Sequence, residues 1–459
     1  MARTPRDDSW LHEPKALAAI APGGVSVGVS TCAFSVEGAV REDGREPSTW
    51  DTFMGQADRI VDGSDAAVAA DHYHRVSEDV RLVRELGADA YRFSLAWSRL
   101  QPGGTGRANR TAVAFYDRLI DELLAAGIRP VVALHHFDLP EPLQHSGGWL
   151  ARDTAYRLAD YAFLAGEAFG DRVGAWTTIT DPATVTSAGY ALGTDAPGAR
   201  LGLGALPAAH HQLLGHGLAV EALRAAGVVG GVGITNTHTP AEPASDRADD
   251  ELHTALFDVL QNRIYADPLL LGGYPTLPEE LAHLTTAFDE IEPADLATIA
   301  APLDFYGVTY TSPARVRAST LPLRYSLEPW PDVAATDAGV PQAPEYLGVA
   351  LRELGQRYGD ALPPVTLFGL GAAFTDVVQR DGSIDDASRA VYLGEHLAVA
   401  FSGAPGVRVS GCFVDALLDG WEWTAGFSTP RGLVHVNPQT QDRTPKRSYR
   451  WLQEVLANR

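Results

Sequence analysis

Nine polar residues stand at or just beyond short apolar runs in this chain of 459 residues: Ser35, Arg92, His136, Thr180, Asp181, Thr309, Tyr310, Asp415 and Glu422. Carboxyl, imidazole, guanidinium and hydroxyl groups are those that proteins use to move protons and to hold polar ligands. One further run offers nothing of the kind. VTLFGLGAAF (365–374) begins like a buried strand, breaks into glycines and has no ionisable side chain. Each polar residue also has a plainer role open to it: Arg92 as a core ion-pair partner, His136 as a satisfied loop histidine, Asp415 as a solvated rim carboxylate. The pairs His135-His136 and His210-His211 invite a metal reading. No ligand set at zinc-like spacing accompanies them, and His210-His211 opens an apolar helix, so neither a metal nor a cofactor is expected.

The elements that must position these residues alternate along the chain. Eight β-branched, aromatic or apolar runs read as strands: 25–31, 89–95, 129–137, 175–180, 230–236, 303–310, 364–369 and 408–417. Between them lie segments such as 112–127 and 154–170, with apolar residues at helical spacing. Eight strands alternating with helices, with no linker or composition break, predict a single (β/α)₈ TIM barrel over 25–459. A doubly wound open sheet is the alternative, disfavoured because no Gly-rich phosphate fingerprint follows the first strand. Barrels of this kind carry their chemistry at the C-terminal strand ends, where the nine polar residues fall. The long connections 190–205, 238–250 and 311–345 would decorate that face, with 336–348 as a rim or lid. Residues 1–24 read as a loosely ordered leader, too interrupted by charge and proline for a signal peptide.

Composition excludes several classes. The net charge of −22 argues against nucleic acid and against an anionic membrane surface. Only Cys32 and Cys412 are present, so disulfides cannot staple the fold and the reducing cytoplasm is the expected compartment. No apolar run is long enough to suggest a membrane helix.

At the strand ends the chain resembles the retaining β-glucosidases of glycoside hydrolase family 1, over about residues 25–455. The resemblance is carried by GVSTCAFSVEGA (28–39), PSTWDTF (47–53), DHYHRVSEDV (71–80), YRFSLAWSR (91–99), HHFDLPEPLQHSGGW (135–149), FGDRV (169–173), AAHHQLLGHGLAV (208–220), LDFYGVTYT (303–311), LLDGWEW (417–423) and RTPK (443–446). Retaining glycosidases use two carboxyl groups about 5 Å apart, one attacking the anomeric carbon and one acting as acid and then base. In this family the acid/base Glu lies in Thr-Leu-Asn-Glu-Pro. The matching TITDP (178–182) puts Asp181 at that position and Thr180 at that of the sugar-binding Asn. The nucleophile Glu lies in Ile-Thr-Glu-Asn-Gly, and the matching LFGLG (367–371) puts Gly369 there. No Asp or Glu occurs between Asp360 and Asp376, so no small shift restores a carboxylate.

The implied sugar pocket departs too. Ser35 replaces a Gln, Phe137 a Trp, Thr309-Tyr310-Thr311 an Asn-Tyr-Tyr, and Asp415 the Trp of the last strand. Arg92, His136, Tyr310, Glu422 and Trp423 are as in the family. The resemblance therefore implies a sugar-binding set of Ser35, Arg92, His136, Phe137, Thr180, Tyr310, Glu422 and Trp423. Arg92 loses its carboxylate partner, a charge that Asp415 could compensate. Without a nucleophile, double-displacement hydrolysis should be lost. The leading expectation is an inverting glycosyl transferase: an activated α-sugar such as a nucleotide sugar as donor, a secondary metabolite as acceptor, Asp181 as general base and Arg92 on the departing phosphate. The alternative is a non-catalytic sugar-binding descendant. Lesser alternatives are inverting hydrolysis, with Asp415 as base and Asp181 as acid, and residual β-glycosidase activity.

Overall fold

The computed structural model describes residues 13–285, 288 and 291–459. Eight parallel strands close into a barrel: β1 (Ser26–Ser30), β2 (Ala90–Ser94), β3 (Arg129–His135), β4 (Ala175–Thr180), β5 (Gly231–Thr237), β6 (Phe305–Thr309), β7 (Val365–Leu370) and β8 (Val409–Asp415). Each pairs with the next, and β8 pairs with β1. All eight coincide with the expected runs, and closure rules out the open sheet. Because side chains alternate along a strand, half of each strand faces the barrel interior. Phe305, Phe368 and Phe413 meet there with Ala90 and Val131, each phenyl contributing about 1.5–3 kcal/mol by burial. Gly28 admits one of these rings, since a Cβ there would lie 2.5 Å from Phe413.

The outward-facing residues pack under helices. These include α1 (Pro14–Ile20), α2 (His72–Leu86), α3 (Arg110–Ala125), α4 (Asp153–Phe169), α5 (Leu206–Ala225), α6 (Pro344–Tyr358), α7 (Ala387–Ser402) and α8 (Arg447–Ala457). Helix α3 begins where the Asn109 side chain accepts from Thr111 N at 3.1 Å. It buries Phe115, Leu119 and Leu123 on one face. In α8, Tyr449, Leu452 and Val455 make the same kind of stripe.

The leader differs from expectation. Residues 1–12 lie outside the described residues, but 14–20 form α1, with Leu17 and Ala18 buried where it packs against α7 and α8. Pro14, Leu17 and Ala18, at i, i+3 and i+4 on one buried face, outweigh the interrupting charges, and Pro14 is suited to the first turn. The decorated connections carry structure of their own: residues Ala241–Pro243, Ala314–Ala318 and Tyr325–Leu327 form a three-stranded sheet. The segment 336–348 forms a rim on its first half, while its second half already belongs to α6. Asp337 Oδ2 accepts from Thr375 Oγ1 at 2.6 Å, and Asp337 N donates to Ala373 O at 3.3 Å, tying this rim to the residues after β7.

Candidate active site

Arg92 enters the barrel mouth from β2 and reaches across it. Its Nη2 donates to Thr180 Oγ1 at the end of β4 at 2.6 Å, and its guanidinium lies 4.7 Å from the Phe368 ring of β7. It is 4 % exposed, and burial lowers its pKa while Asp415 and Asp181 oppose that shift. Among the described residues it has no ion pair. The expected compensation by Asp415 is not made by contact. Asp415, at the end of β8, accepts from Ser30 Oγ at 3.0 Å and lies 3.8 Å from Arg431 Nη2. Arg431 also donates to Gly371 O at 3.1 Å, and the loop bearing it holds it closer to β8 than Arg92 stands.

Asp181 follows β4 in the left-handed region, with φ 46°, a conformation Asp tolerates better than most residues. Its amide donates to Thr235 O at 2.8 Å, locking it to β5. The carboxyl is buried and its Oδ1 has no hydrogen-bond partner. Burial pushes its pKa up to about 6; the Thr237 hydroxyl, the Arg92 guanidinium and the Thr309 hydroxyl hold it from rising further, and Asp415 adds to the rise. Such a group is mostly ionised at neutral pH yet basic enough to take a proton.

Gly369 ends β7 where the ladder with β8 shifts register between Leu367 and Leu370. Its φ of 69° is one that side-chain-bearing residues rarely adopt. Its tail is held by Arg389, whose Nη2 donates to Phe374 O at 3.1 Å and Pro430 O at 2.9 Å.

One wall of the mouth is aromatic. Trp423 lies 4.7 Å from Trp50, 4.9 Å from Phe137 and 6.0 Å from His136 between ring centroids, and stacks on Phe34 at 5.7 Å and 12°. His136 is held well below its ordinary pKa, first by burial and then by Arg92 and His135, so it is neutral at pH 7. Burial raises Glu422 to about 7, against Arg431 and with Asp415 and Asp419. Ser35 is buried beneath this wall, its carbonyl accepting from Trp421 N at 2.9 Å.

The structure thus brings together Arg92, Thr180, Asp181, Asp415 and Glu422, and sets His136, Phe137 and Trp423 beside them. Tyr310 is placed elsewhere. It is 1 % exposed and its hydroxyl donates to Ala343 O at 2.6 Å; because Thr309 points inward, the residue after it points out toward α7. Sequence reasoning missed Arg431 and Thr237. The strand run ending at 236 is one residue short of β5, which would have reached Thr237. Arg431 follows no strand, and nothing in PRGLVHV marked it as a partner for Asp415. A third cluster, Asp376, Asp419 and His435, has ligand atoms within 4.8 Å of one another. The Lys446 ammonium occupies it, 2.6 Å from Asp376 and 2.7 Å from Asp419.

A closed (β/α)₈ barrel whose mouth joins carboxyl groups, an arginine and an aromatic wall is the architecture of the glycosidase-fold class. The sequence profile of Glycosyl hydrolase family 1 matches residues 19–459, and the chain belongs to that family. Beta-glucosidase A of Thermotoga maritima is 36% identical over 440 residues, covering 95% of this chain and 98% of that protein. The solved structure of the psychrophilic beta-glucosidase from Micrococcus antarcticus superposes with a TM-score of 0.91 at 38% identity, covering 97% and 99% of the two chains. The Thermotoga maritima beta-glucosidase in complex with glucoimidazole gives a TM-score of 0.89 at 35% identity, with 95% and 99% covered. Among the described residues no helix is long and apolar enough to cross a membrane.

Proposed function

We propose that this family 1 protein binds an activated α-sugar in the barrel mouth and transfers it with inversion, instead of hydrolysing glycosides by double displacement. The observation that carries the reading is the end of β7, where Gly369 supplies no carboxylate and none is available between Asp360 and Asp376. Gly369 sets no carboxylate below the anomeric carbon, the side on which an α-linked leaving group would sit. Asp181 takes the proton of an acceptor hydroxyl, and the acceptor oxygen attacks the anomeric carbon. The bond to the leaving group breaks and its electron pair departs with it, giving a β-linked product. No enzyme-bound glycosyl intermediate is needed. A nucleotide sugar fits as donor because its leaving group is already activated, and Arg92 offers it a cation. A small secondary metabolite fits as acceptor, and the cytoplasm is where such donors occur. The glucoimidazole complex of the related beta-glucosidase supports a sugar-shaped ligand.

Incubation with a panel of nucleotide sugars and candidate acceptors, read by mass spectrometry, tests this. β-Linked product dependent on Asp181 is expected. No product and no saturation-transfer signal from any donor would remove the reading. Because Trp423 keeps aromatic contacts with Phe34, Trp50 and Phe137, sugar binding without turnover, unaffected by Asp181→Asn, would then define a non-catalytic binder.

A further inference from the structure

We propose that the barrel mouth contains an oxyanion site in which Arg92 binds a phosphate or carboxylate group beside Phe368 and Gly369. This rests on the ligand entering the mouth, as proposed above, but not on what reaction follows. The first argument comes from the chain's own habits. Among the described residues four arginines are buried: Arg45, Arg92, Arg99 and Arg389. Three of them hold carboxylates, Arg45 with Asp51 at 2.8 Å, Arg99 with Glu37 at 2.9 Å and Arg389 with Asp376 at 3.0 Å. Arg92 alone of the four has no such partner among the described residues. Burying a guanidinium without a counter-ion is costly, so this residue is set up for an anion the chain does not supply.

The second argument is its unused hydrogen-bonding capacity. A guanidinium carries five N–H donors; Thr180 Oγ1 takes one, and the buried Nε has no partner. A planar fork with free donors suits two oxygens of one phosphate or carboxylate. The third is that Asp415, the carboxylate acting most strongly on Arg92, is engaged elsewhere, being held by Ser30 and Arg431. Gly369, next in the strand after the Phe368 ring over which the guanidinium lies, adds no side chain of its own.

The charged and titratable groups acting on Arg92 are Asp415 from β8, Asp181 after β4, Cys32 after β1 and His136 after β3. Asp181 and Asp415 repel an anion and His136 is neutral. Protonation of Asp181 below about pH 6 removes one of these repulsions.

The test is calorimetric titration of the whole protein with inorganic phosphate alone, and separately with a glycosyl 1-phosphate. Saturable binding is expected that weakens about 10- to 100-fold in Arg92→Gln and tightens in Asp415→Asn. Arg92→Lys, which retains charge without the fork, guards against misfolding and should weaken binding less than Arg92→Gln. Binding of inorganic phosphate assigns the site to a free anion; binding only of the glycosyl phosphate assigns it to the donor's phosphoryl group. Either supports the proposal. Absence of both, or binding that ignores Arg92 and Asp415, overturns it. Sugar transfer without Arg92-dependent anion binding would sink this inference alone, whereas anion binding without transfer would sink only the transferase reading.

Discussion

A Cβ placed on Gly369 would lie 3.0 Å from Thr309 Cγ2, across the ladder between β7 and β6. The space for a side chain at the end of β7 is therefore narrowed by its neighbour, and the backbone is set at a φ of 69°. Restoring a carboxylate meets both obstacles. Gly369→Glu is expected to destabilise the fold by about 1–2 kcal/mol from the left-handed backbone alone, with crowding added. Adding Thr309→Ala should recover the crowding part and leave the backbone part. Urea unfolding of the two variants separates them. A Gly369→Glu protein as stable as wild type, hydrolysing an aryl β-glucoside, would show that this strand end still accepts a nucleophile.

Asp181→Asn should move activity and stability in opposite directions. A carboxyl raised from 3.8 to about 6 by burial leaves stability intact below pH 4, where both folded and unfolded states are protonated. Between about pH 4 and 6 the unfolded state ionises first, and stability is lost by roughly 3 kcal/mol by the time the folded pKa is passed. The amide removes that loss. At pH 8 the variant is expected to be more stable by up to about 3 kcal/mol and at pH 4 to match wild type, while transfer falls on the order of 10²-fold or more. Denaturant midpoints at the two pH values check the first half. A variant that is less stable at pH 8 would contradict the account of Asp181 as a carboxylate held against burial.

Most of the barrel was legible because each strand has to be apolar on two faces, and that leaves short β-branched runs in the sequence. The site positions were legible for the same reason, since Asp181 directly follows one of those runs and Arg92 and Asp415 lie within two others. Partnerships were less so. That Asp415 meets Arg431 depends on a loop path with no periodic signal. That Tyr310 faces α7 depends on which residue of β6 points inward, and a one-residue change of phase swaps the two faces. The helix at 14–20 was obscured because the charges before it and Lys15 within it, read along the chain, concealed Leu17 on its buried side.

Lys446 joins the last helix to two other parts of the mouth. Its ammonium is fully buried between Asp376, after β7, and Asp419, three residues before Glu422. Asp419 also accepts from Gly432 N at 2.9 Å and meets His435 at 3.2 Å. Lys446→Met leaves two buried carboxylates short of a cation, a change expected to cost about 3–5 kcal/mol. Because Asp419 anchors the loop of Glu422 and Trp423, affinity for a sugar ligand should fall in the same variant. Equilibrium unfolding and ligand titration check both. Unchanged stability would mean that Arg389 and His435 suffice for these carboxylates.

Buried histidines should make the fold acid-sensitive well above the range where carboxylates protonate. Burial lowers His135 and His216 to about 3, and His238 and His396 to about 4; His136 lies well below its ordinary value. Each is neutral when folded and ordinary when unfolded, so its contribution is complete above about pH 6.5. As pH falls through 6.5 toward 4 the unfolded state takes up protons that the folded state does not, costing up to about 1.4 kcal/mol per pH unit for each histidine. Asp138, Asp181, Asp195, Glu353 and Glu422 act in the opposite sense over part of that window, since they bind protons more readily folded. These carboxyls offset much of what the histidines contribute, so the change made by one histidine is a sharper measure than the net slope. His135 is the clean probe, because its ring sits edge-on to Trp97 and Trp149 with neither nitrogen hydrogen-bonded. His135→Phe is expected to reduce the slope by about one proton with no hydrogen bond lost. Urea midpoints at intervals from pH 7 to 4.5 measure it, and a slope identical to that of wild type would show that His135 is already protonated in the fold.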